Sequence, residues 1–416
     1  MSSRALRVRP CGRRASARPF RVIPGAGASP LRRSYDVVIV GAGVQGLALA
    51  YELGRRGIGR VAVLDAAYPG AGASGRNGEL IRSAFASVEW TSLFHESLRR
   101  WHTLSAELDF NVLFTPAGYL VLATTPAEME AFAGHVELQR RLGLSTQVVQ
   151  AEAARELAPA LADGFVLGAM FQPDAGFAHH DAVVWAYARA ASRLGVQILP
   201  YTEVLEVGVA AGAVTGVLTS RGPVSAPVVV DAGGGMAAGV ARLAGVELPL
   251  TTYSLEALVT EPLEPFLRPG LSCPGLLAYC HQTTRGEFVG GTEPAVARES
   301  SSLKATIAGG RDMARKFTTL FPALAGVRVM RQWAGLVSQA EDAAPVLGRV
   351  GEVDGLILDC GWVYGFMGAP AAGALLAEAI ADGTTPALLA PFKLERLRTG
   401  ALIREGSLVV TTGAER

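Results

Sequence analysis

Four residues near the amino terminus have the types and spacing to hold a dinucleotide. Gly41, Gly43 and Gly46 stand in Gly41-Ala42-Gly43-Val44-Gln45-Gly46, and Asp65 follows 24 residues after Gly41. In a G-x-G-x-x-G turn the first glycine permits the tight bend. The second lets the backbone approach a pyrophosphate, and the third lets helix and sheet pack closely. Unpaired N–H groups at a helix start attract the phosphate anion. Asp65 can accept hydrogen bonds from ribose hydroxyls.

The next segment selects the dinucleotide. Residues 70–83 read Gly-Ala-Gly-Ala-Ser-Gly-Arg-Asn-Gly-Glu-Leu-Ile-Arg-Ser. A nicotinamide domain would continue here into another strand–helix unit. Instead a Gly- and Ser-rich loop carries Ser74, Arg76 and Asn77, groups able to wrap the phosphate and ribityl chain of FAD. Arg82 follows from a separate position. Surface solvation is the alternative for Arg76 and Arg82, as for most arginines. A second Gly-rich stretch, Gly361-Trp362-Val363-Tyr364-Gly365-Phe366-Met367-Gly368, joins an apolar run to an Ala/Leu helix. A strand, a loop and a helix start in that order suit anionic or carbonyl groups.

The elements that must position these residues can be read from periodicity. Asp36-Val-Val-Ile-Val40 is a continuous apolar run, the pattern of a buried parallel strand. Leu47, Leu49, Ala50 and Leu53 predict a helix ending near Gly57, and Val61–Leu64 predict a second strand. Helices are expected at 90–109, 126–142, 181–194, 303–320 and 371–381. Two short strands are expected within 112–123 and β structure at 204–231. Several antiparallel strands follow at 252–293, then a last buried strand at 355–360. The first and last glycine-rich loops reach one cofactor only if the cofactor domain is discontinuous. The expected fold class is therefore α/β: a Rossmann-like FAD-binding domain with an inserted α+β, antiparallel-sheet substrate domain. Residues 34–85, 151–249 and 326–390 make the first, 86–150 and 250–325 the second. A basic leader at 1–33 and a tail at 391–416 lie outside them.

Composition narrows the function class. The chain has 416 residues, half of them hydrophobic and 18% charged, ample for a large core. Its net charge is +1, yet residues 1–33 hold nine arginines and no acid. Removing those nine positive charges leaves −8 for residues 34–416, which argues against nucleic-acid binding by the body. The leader lacks the apolar stretch of a secretory signal. A disordered tail, an organelle transit peptide and upstream sequence from a misplaced start remain open. No run of about 18 apolar residues predicts a membrane span. Cys11, Cys273, Cys280 and Cys360 are scattered and no histidine cluster joins them, so no metal site is expected and a reduced compartment fits. A cytoplasmic protein is expected, with the mitochondrial matrix the alternative should the leader be a transit peptide.

From about Tyr35 to Leu389 the chain resembles the glycine oxidase/D-amino-acid oxidase superfamily of FAD enzymes. It is more similar to the beta subunit of heterotetrameric sarcosine oxidase and the related beta subunits of L-proline and opine dehydrogenases. The fingerprint at 36–46, Arg76-Asn77…Ile81-Arg82, residues 108–114 and His180-Asp181-Ala182-Val183-Val184-Trp185 carry the resemblance. So do residues 331–336, Asp342-Ala343-Ala344-Pro345 and Cys360-Gly361-Trp362…Gly365-Phe366. It implies FAD on the glycines and Asp65, held by Ser74, Arg76 and Asn77 and closed by Gly361, Trp362, Gly365 and Phe366. The FAD is expected to be non-covalent, because the segment around Ser338 lacks the cysteine that tethers it in monomeric sarcosine oxidases. The implied reaction passes a hydride equivalent from the α-carbon of a small secondary or N-methylated amino acid to flavin N5, and the imine hydrolyses. Arg82 matches the position that grips the substrate carboxylate, a task suited to a guanidinium fork. Met367 matches the position over the flavin where sarcosine oxidases carry lysine and proline-dehydrogenase-like relatives tolerate methionine. It is uncharged and flexible.

His180 matches the histidine that carries a covalent FMN in sarcosine oxidase beta subunits, but His179 replaces the usual preceding arginine. Two readings stand: a second flavin, or two histidines before a helix that Asp181 caps. Tyr253, Tyr279, His281 and Arg285 fall in the expected substrate strands, where ordinary sheet residues are the simpler reading. No general base is assigned. The resemblance implies an alpha-type subunit and small subunits as partners. A stand-alone glycine or D-amino-acid oxidase, and a flavin-holding scaffold subunit, are the competing readings.

Overall fold

The computed structural model describes residues 30–294 and 298–406. The reading of residues 1–33 therefore lies almost wholly outside the described residues, as does Cys11.

Two large sheets carry the fold. The first has six strands in the order Val346–Arg349, Leu356–Cys360, Val229–Asp231, Val37–Val40, Val61–Leu64, Gln197–Leu199. All pair in parallel except the edge strand Val346–Arg349. Its central strand shows why an unbroken apolar run was needed. Val37 and Ile39 pack into one core with the helices Val44–Arg55 and Gly365–Asp382. Val38 and Val40 pack into a second core on the other face, with the small sheet of Val204–Ala210, Ala213–Thr219 and Gly222–Ser225. A strand covered on both faces cannot alternate with polar residues.

The helices Val44–Arg55 and Gly365–Asp382 press together at Gly373. A Cβ there would lie 2.8 Å from the Ala48 carbonyl carbon and the Leu49 amide, so only glycine allows the approach.

The second sheet has eight strands in the order Val329–Gln339, Thr251–Pro262, Glu287–Thr292, Ala278–Gln282, Gly270–Cys273, Tyr119–Ala123, Gly168–Gln172, Gln147–Gln150. Its pairs are antiparallel apart from Gly270–Cys273 with Tyr119–Ala123. Helices Pro126–Arg141 and Ile307–Leu320 belong to this half, and Phe317 and Met313 of the latter enter its core. The α/β class agrees with expectation, and the sheet expected to be antiparallel is so in every pair but Gly270–Cys273 with Tyr119–Ala123.

Several boundaries move. Residues 168–172 and 329–339, expected in the cofactor part, run in the eight-stranded sheet, because their partners 119–123 and 251–262 lie there. Residues 112–123 hold one strand, not two, with Thr115 making only an isolated bridge to Phe177. The last long helix begins at Gly365 rather than 371, since the glycine-rich stretch is already helical from that residue. Asp181 does not cap its helix. His179 is the N-cap residue, His180 begins the helix, and the Asp181 carboxylate lies in the first turn. The segment 391–406 is more than a tail: it holds the helix Glu395–Thr399 and then lines a cavity.

Candidate active site

The cofactor loop is built from one hydrogen-bond relay. Asp65, just past the second strand, accepts the Ala42 amide at 2.7 Å and the Ala67 amide at 2.7 Å. The turn Gly41–Gly43 is thus tied to the end of that strand. Gly41 has φ +115°, and a Cβ on it would lie 2.3 Å from the Ala232 carbonyl oxygen. A Cβ on Gly46 would lie 2.2 Å from the Gly41 carbonyl oxygen, the close helix–sheet approach its position demands. Ser74 Oγ accepts the Val44 amide at 2.9 Å, the first helical N–H. Asn77 Nδ2 donates to the Ser74 carbonyl at 2.6 Å, and Asn77 Oδ1 accepts the Glu79 amide at 2.7 Å. Arg76 Nη1 donates to the Gly72 carbonyl at 3.0 Å, while the Arg76 carbonyl accepts Trp333 Nε1 at 2.9 Å. The loop 72–77 therefore folds on itself and is braced by the eight-stranded sheet.

The second glycine-rich stretch closes on the first. Gln45 Nε2 donates to the Gly365 carbonyl at 2.7 Å. Trp362 Nε1 donates to Asp359 Oδ1 at 2.8 Å, and Gly361 turns the chain with φ +71°. Gly365 and Gly368 take the flank of the Trp362 side chain, where a Cβ on either would come within 2.9 Å of it. Met367 and Phe366 are buried, and the Met367 carbonyl accepts Ser97 Oγ at 2.6 Å and Trp101 Nε1 at 2.9 Å.

Both stretches face one cavity of about 1000 Å³. Gly41, Gly43, Asp65, Ser74, Arg76, Asn77, Arg82, Trp362, Gly365, Phe366 and Met367 line it together. Gly46 lies beneath, between helix and sheet. His180 faces a different cavity. Arg82 is 4% exposed. Its Nη1 donates to the Ala84 carbonyl at 2.5 Å, and its guanidinium carbon lies 3.9 Å from the Phe85 ring centre and 5.6 Å from those of Tyr119 and Tyr364. Burial pushes the Tyr119 and Tyr364 hydroxyls above the ordinary tyrosine range. Surface solvation is thus excluded for Arg82, a buried cation set among aromatic faces.

The cavity fits a dinucleotide on chemical grounds. Gln45, Ser338 and Asp359 line it, and their Oε1, Oγ and Oδ2 atoms are buried without a hydrogen-bond partner. Buried polar atoms are ordinarily paired, so these point to a polar ligand. Asp359 is pushed up to about 7 by burial, against the Trp362 hydrogen bond. Asp231 is likewise pushed up to about 7 by burial, with Asp359 adding to the effect and the Gly233 amide opposing it. The buried thiols of Cys273, Cys280 and Cys360 are all raised by burial.

His180 serves a cavity of about 420 Å³ that also takes in Arg285, Arg331, Trp333 and His179. Its Nδ1 lies 2.5 Å from Glu79 Oε1, and His281 Nε2 lies 3.4 Å from Glu79 Oε2. Burial alone would raise the Glu79 carboxyl, but the two histidines outweigh it and hold it well below the usual range. Burial likewise opposes a charged His180, and Glu79 outweighs it, raising the imidazole. Glu79, His179 and His180 present ligand-type atoms within 4.8 Å of one another, a grouping concealed by the distance of Glu79 from the two histidines in sequence. Tyr279 lines the larger cavity, Arg285 the smaller, and His281 is wholly buried.

Sequence reasoning missed Gln45, Tyr119, Tyr364, Glu293 and residues 402–406, all of which line the larger cavity. Glu293 accepts from the Tyr364 hydroxyl at 3.4 Å. The one available signal was position: Gln45 and Tyr364 lie inside the two glycine-rich stretches.

The comparisons agree with this geometry. The FAD dependent oxidoreductase family matches residues 36–379. Sarcosine oxidase subunit beta from Arthrobacter sp is 38% identical over 381 residues, covering 90% of this chain and 94% of that one. The same subunit from Rhodobacter capsulatus is 34% identical, covering 90% and 91%. Among solved structures, L-proline dehydrogenase from P.horikoshii superposes with TM-score 0.86 at 29% identity, covering 90% of this chain and all of that one. Glycine oxidase from Geobacillus kaustophilus superposes with TM-score 0.80 at 26% identity, covering 87% and 99%. Among the described residues no helix is long and apolar enough to cross a membrane. The cradle, the cavity and these matches together show that the chain belongs to the FAD dependent oxidoreductase family, as an FAD-dependent oxidoreductase of amines or amino acids.

Proposed function

We propose that this chain oxidises the C–N bond of a small secondary or N-methylated amino acid, as the beta-type subunit of a complex. The observation that carries this reading is Arg82, a buried guanidinium lining the same cavity as the dinucleotide cradle. A cation there can take a carboxylate as a two-point partner. The tyrosine faces of Tyr119 and Tyr364 and the apolar Met367 bound the space beside it and limit water. The glycines, Ser74, Asn77 and the 361–368 loop would hold FAD. When bound, FAD would supply the acceptor for a hydride equivalent from a carbon attached to the amine nitrogen, leaving an imine for water to hydrolyse. Arg82 would orient the amine and its neighbouring carbons by holding the substrate carboxylate. The six-stranded sheet serves the cofactor and the eight-stranded sheet the substrate.

Two relatives named sarcosine oxidase subunit beta support both the substrate class and membership of a complex. Met367 favours an electron acceptor other than oxygen, since a neutral thioether cannot supply the positive charge of the lysine in sarcosine oxidases. Anaerobic mixing of the holoprotein with sarcosine, L-proline, glycine and D-alanine tests the reading. Bleaching of the flavin by a secondary amine supports it, and an oxidised spectrum throughout defeats it. Bleaching by glycine or D-alanine alone, with peroxide formed in air, favours the stand-alone oxidase.

A second flavin is a separate reading, supported by the cavity at His180 with Arg285 and Arg331 at its wall. FMN would meet two cations there, with Nδ1 of His180 already engaged by Glu79. Acid precipitation of the enzyme purified with native partners decides it: FMN beside FAD supports the reading, and FAD alone ends it.

A further inference from the structure

The segment 402–406 forms one wall of the larger cavity. Its anchor is Glu405, 1% exposed. One carboxylate oxygen accepts the Ala86 amide. The other accepts the Ser87 amide at 2.9 Å and Ser87 Oγ at 2.5 Å. Ser87 is the N-cap of the helix Val88–Glu107, so the carboxylate also sits at the positive end of a 20-residue helix. A second tie holds the segment: the Ile403 amide donates to Asp342 Oδ2 at 3.1 Å, and Arg396 grips Asp342 at 2.8 and 3.0 Å.

The turn that Glu405 binds is the one that holds Arg82. Ala84 supplies the carbonyl for Arg82 Nη1, and Phe85 supplies the ring beneath its guanidinium. The turn is clamped from its other side. Gln172 Oε1 accepts the Ser83 and Ala84 amides, each at 2.9 Å, and Gln139 Nε2 donates to the Phe85 carbonyl at 2.7 Å. Without Glu405 the turn keeps its Gln172 and Gln139 clamps but leaves the Ala86 and Ser87 amides unpaired in a buried place, which favours rearrangement.

We propose that Glu405 is a positioning residue for Arg82, and that the segment 402–406 completes the substrate compartment. Its carboxylate fixes residues 84–87, and residues 84–85 fix the direction of the guanidinium. The proposal rests on Arg82 being the carboxylate anchor.

The experiment uses the full chain with bound FAD and acetate as an unreactive carboxylate, read by the perturbation of the flavin spectrum. Glu405→Ala is expected to weaken acetate about tenfold, the size of coupling within one hydrogen-bond network. It should raise KM for the amine substrate more than it lowers kcat, with FAD content unchanged. In an Arg82→Ala background the same change should cost less than about twofold. Glu405→Gln, which keeps one acceptor oxygen, should fall between and serves where the alanine variant loses FAD. An acetate affinity within about twofold of the parent in the FAD-retaining variant overturns the proposal. So does an equal loss with and without Arg82. Failure of the underlying reading looks different: Arg82→Ala itself would then leave acetate binding unchanged.

Discussion

The guanidinium carbon of Arg82 sits 3.9 Å from the centre of the Phe85 ring, and Nη1 is held by the Ala84 carbonyl at 2.5 Å. Main chain and ring thus orient the cation before any substrate arrives. Hydrogen bonds to charged groups contribute about 1.5–3 kcal/mol each. Arg82→Ala is therefore expected to lower kcat/KM for a carboxylate-bearing amine about 100-fold while FAD stays bound. Arg82→Lys restores the charge without the fork and should recover only part of it. Steady-state kinetics beside flavin content checks both. Unchanged kcat/KM in the alanine variant would remove Arg82 from the site.

Gly46 tests the cradle. A methyl group there would meet the Gly41 carbonyl oxygen at 2.2 Å and Ile39 Cγ2 at 3.1 Å. Neither the turn nor the buried strand has room to yield. Overpacking of this kind costs about 1–3 kcal/mol, or about 1–4 °C in melting temperature for a chain of this length. Gly46→Ala should also purify with little flavin per chain. A fully yellow variant with the parent's melting point would show that the turn accommodates the methyl group.

Asp231 and Asp359 carry a pH prediction. Both are raised from 3.8 to about 7 by burial. The folded state then binds more protons than the unfolded chain between those values. Stability contributed by each group therefore falls as pH climbs from about 4 to about 7, and the loss is complete above that. Asp231→Asn keeps the acceptor for the Gly233 amide and removes the charge. Its melting temperature should exceed the parent's at pH 8 and match it near pH 4. The same difference at both pH values would contradict the assignment.

Glu79 and His180 shift in opposite directions. The lowered Glu79 contributes stability above its unfolded value and loses it as pH falls through its folded value. The raised His180 contributes below its unfolded value and loses it as pH rises through its folded one. Both contributions are in force between about 4.5 and 6.5. Glu79→Gln should cost most stability in that window, and the His180 imidazole should titrate lower, as followed by NMR of its ring protons. A His180 titration unmoved by the substitution would break the pairing.

What could be read in advance was local. The run 36–40, the glycines 41–46 and Asp65 are neighbours in sequence, and the turn chemistry of each residue follows from its own position. The sheet assignment of 168–172 and 329–339 was not local. A strand's own pattern states that it is half buried or fully buried, and only its partner decides which sheet it joins. Gln45 with Gly365, Glu79 with His180 and Glu405 with Ser87 were hidden for the same reason. Each joins residues about 100 to 320 positions apart through one polar side chain, and periodicity carries no record of such pairs.

The bond from Gln45 to the Gly365 carbonyl has a consequence for biosynthesis. The central strand of the parallel sheet is the first to leave the ribosome, yet its neighbour Val229–Asp231 is made far later, and Leu356–Cys360 later still. The glycine turn at 41–46 must therefore wait as an unfinished edge while most of the chain is synthesised. A chain interrupted before residue 365 lacks half of the cradle. Truncated products are therefore expected to emerge colourless.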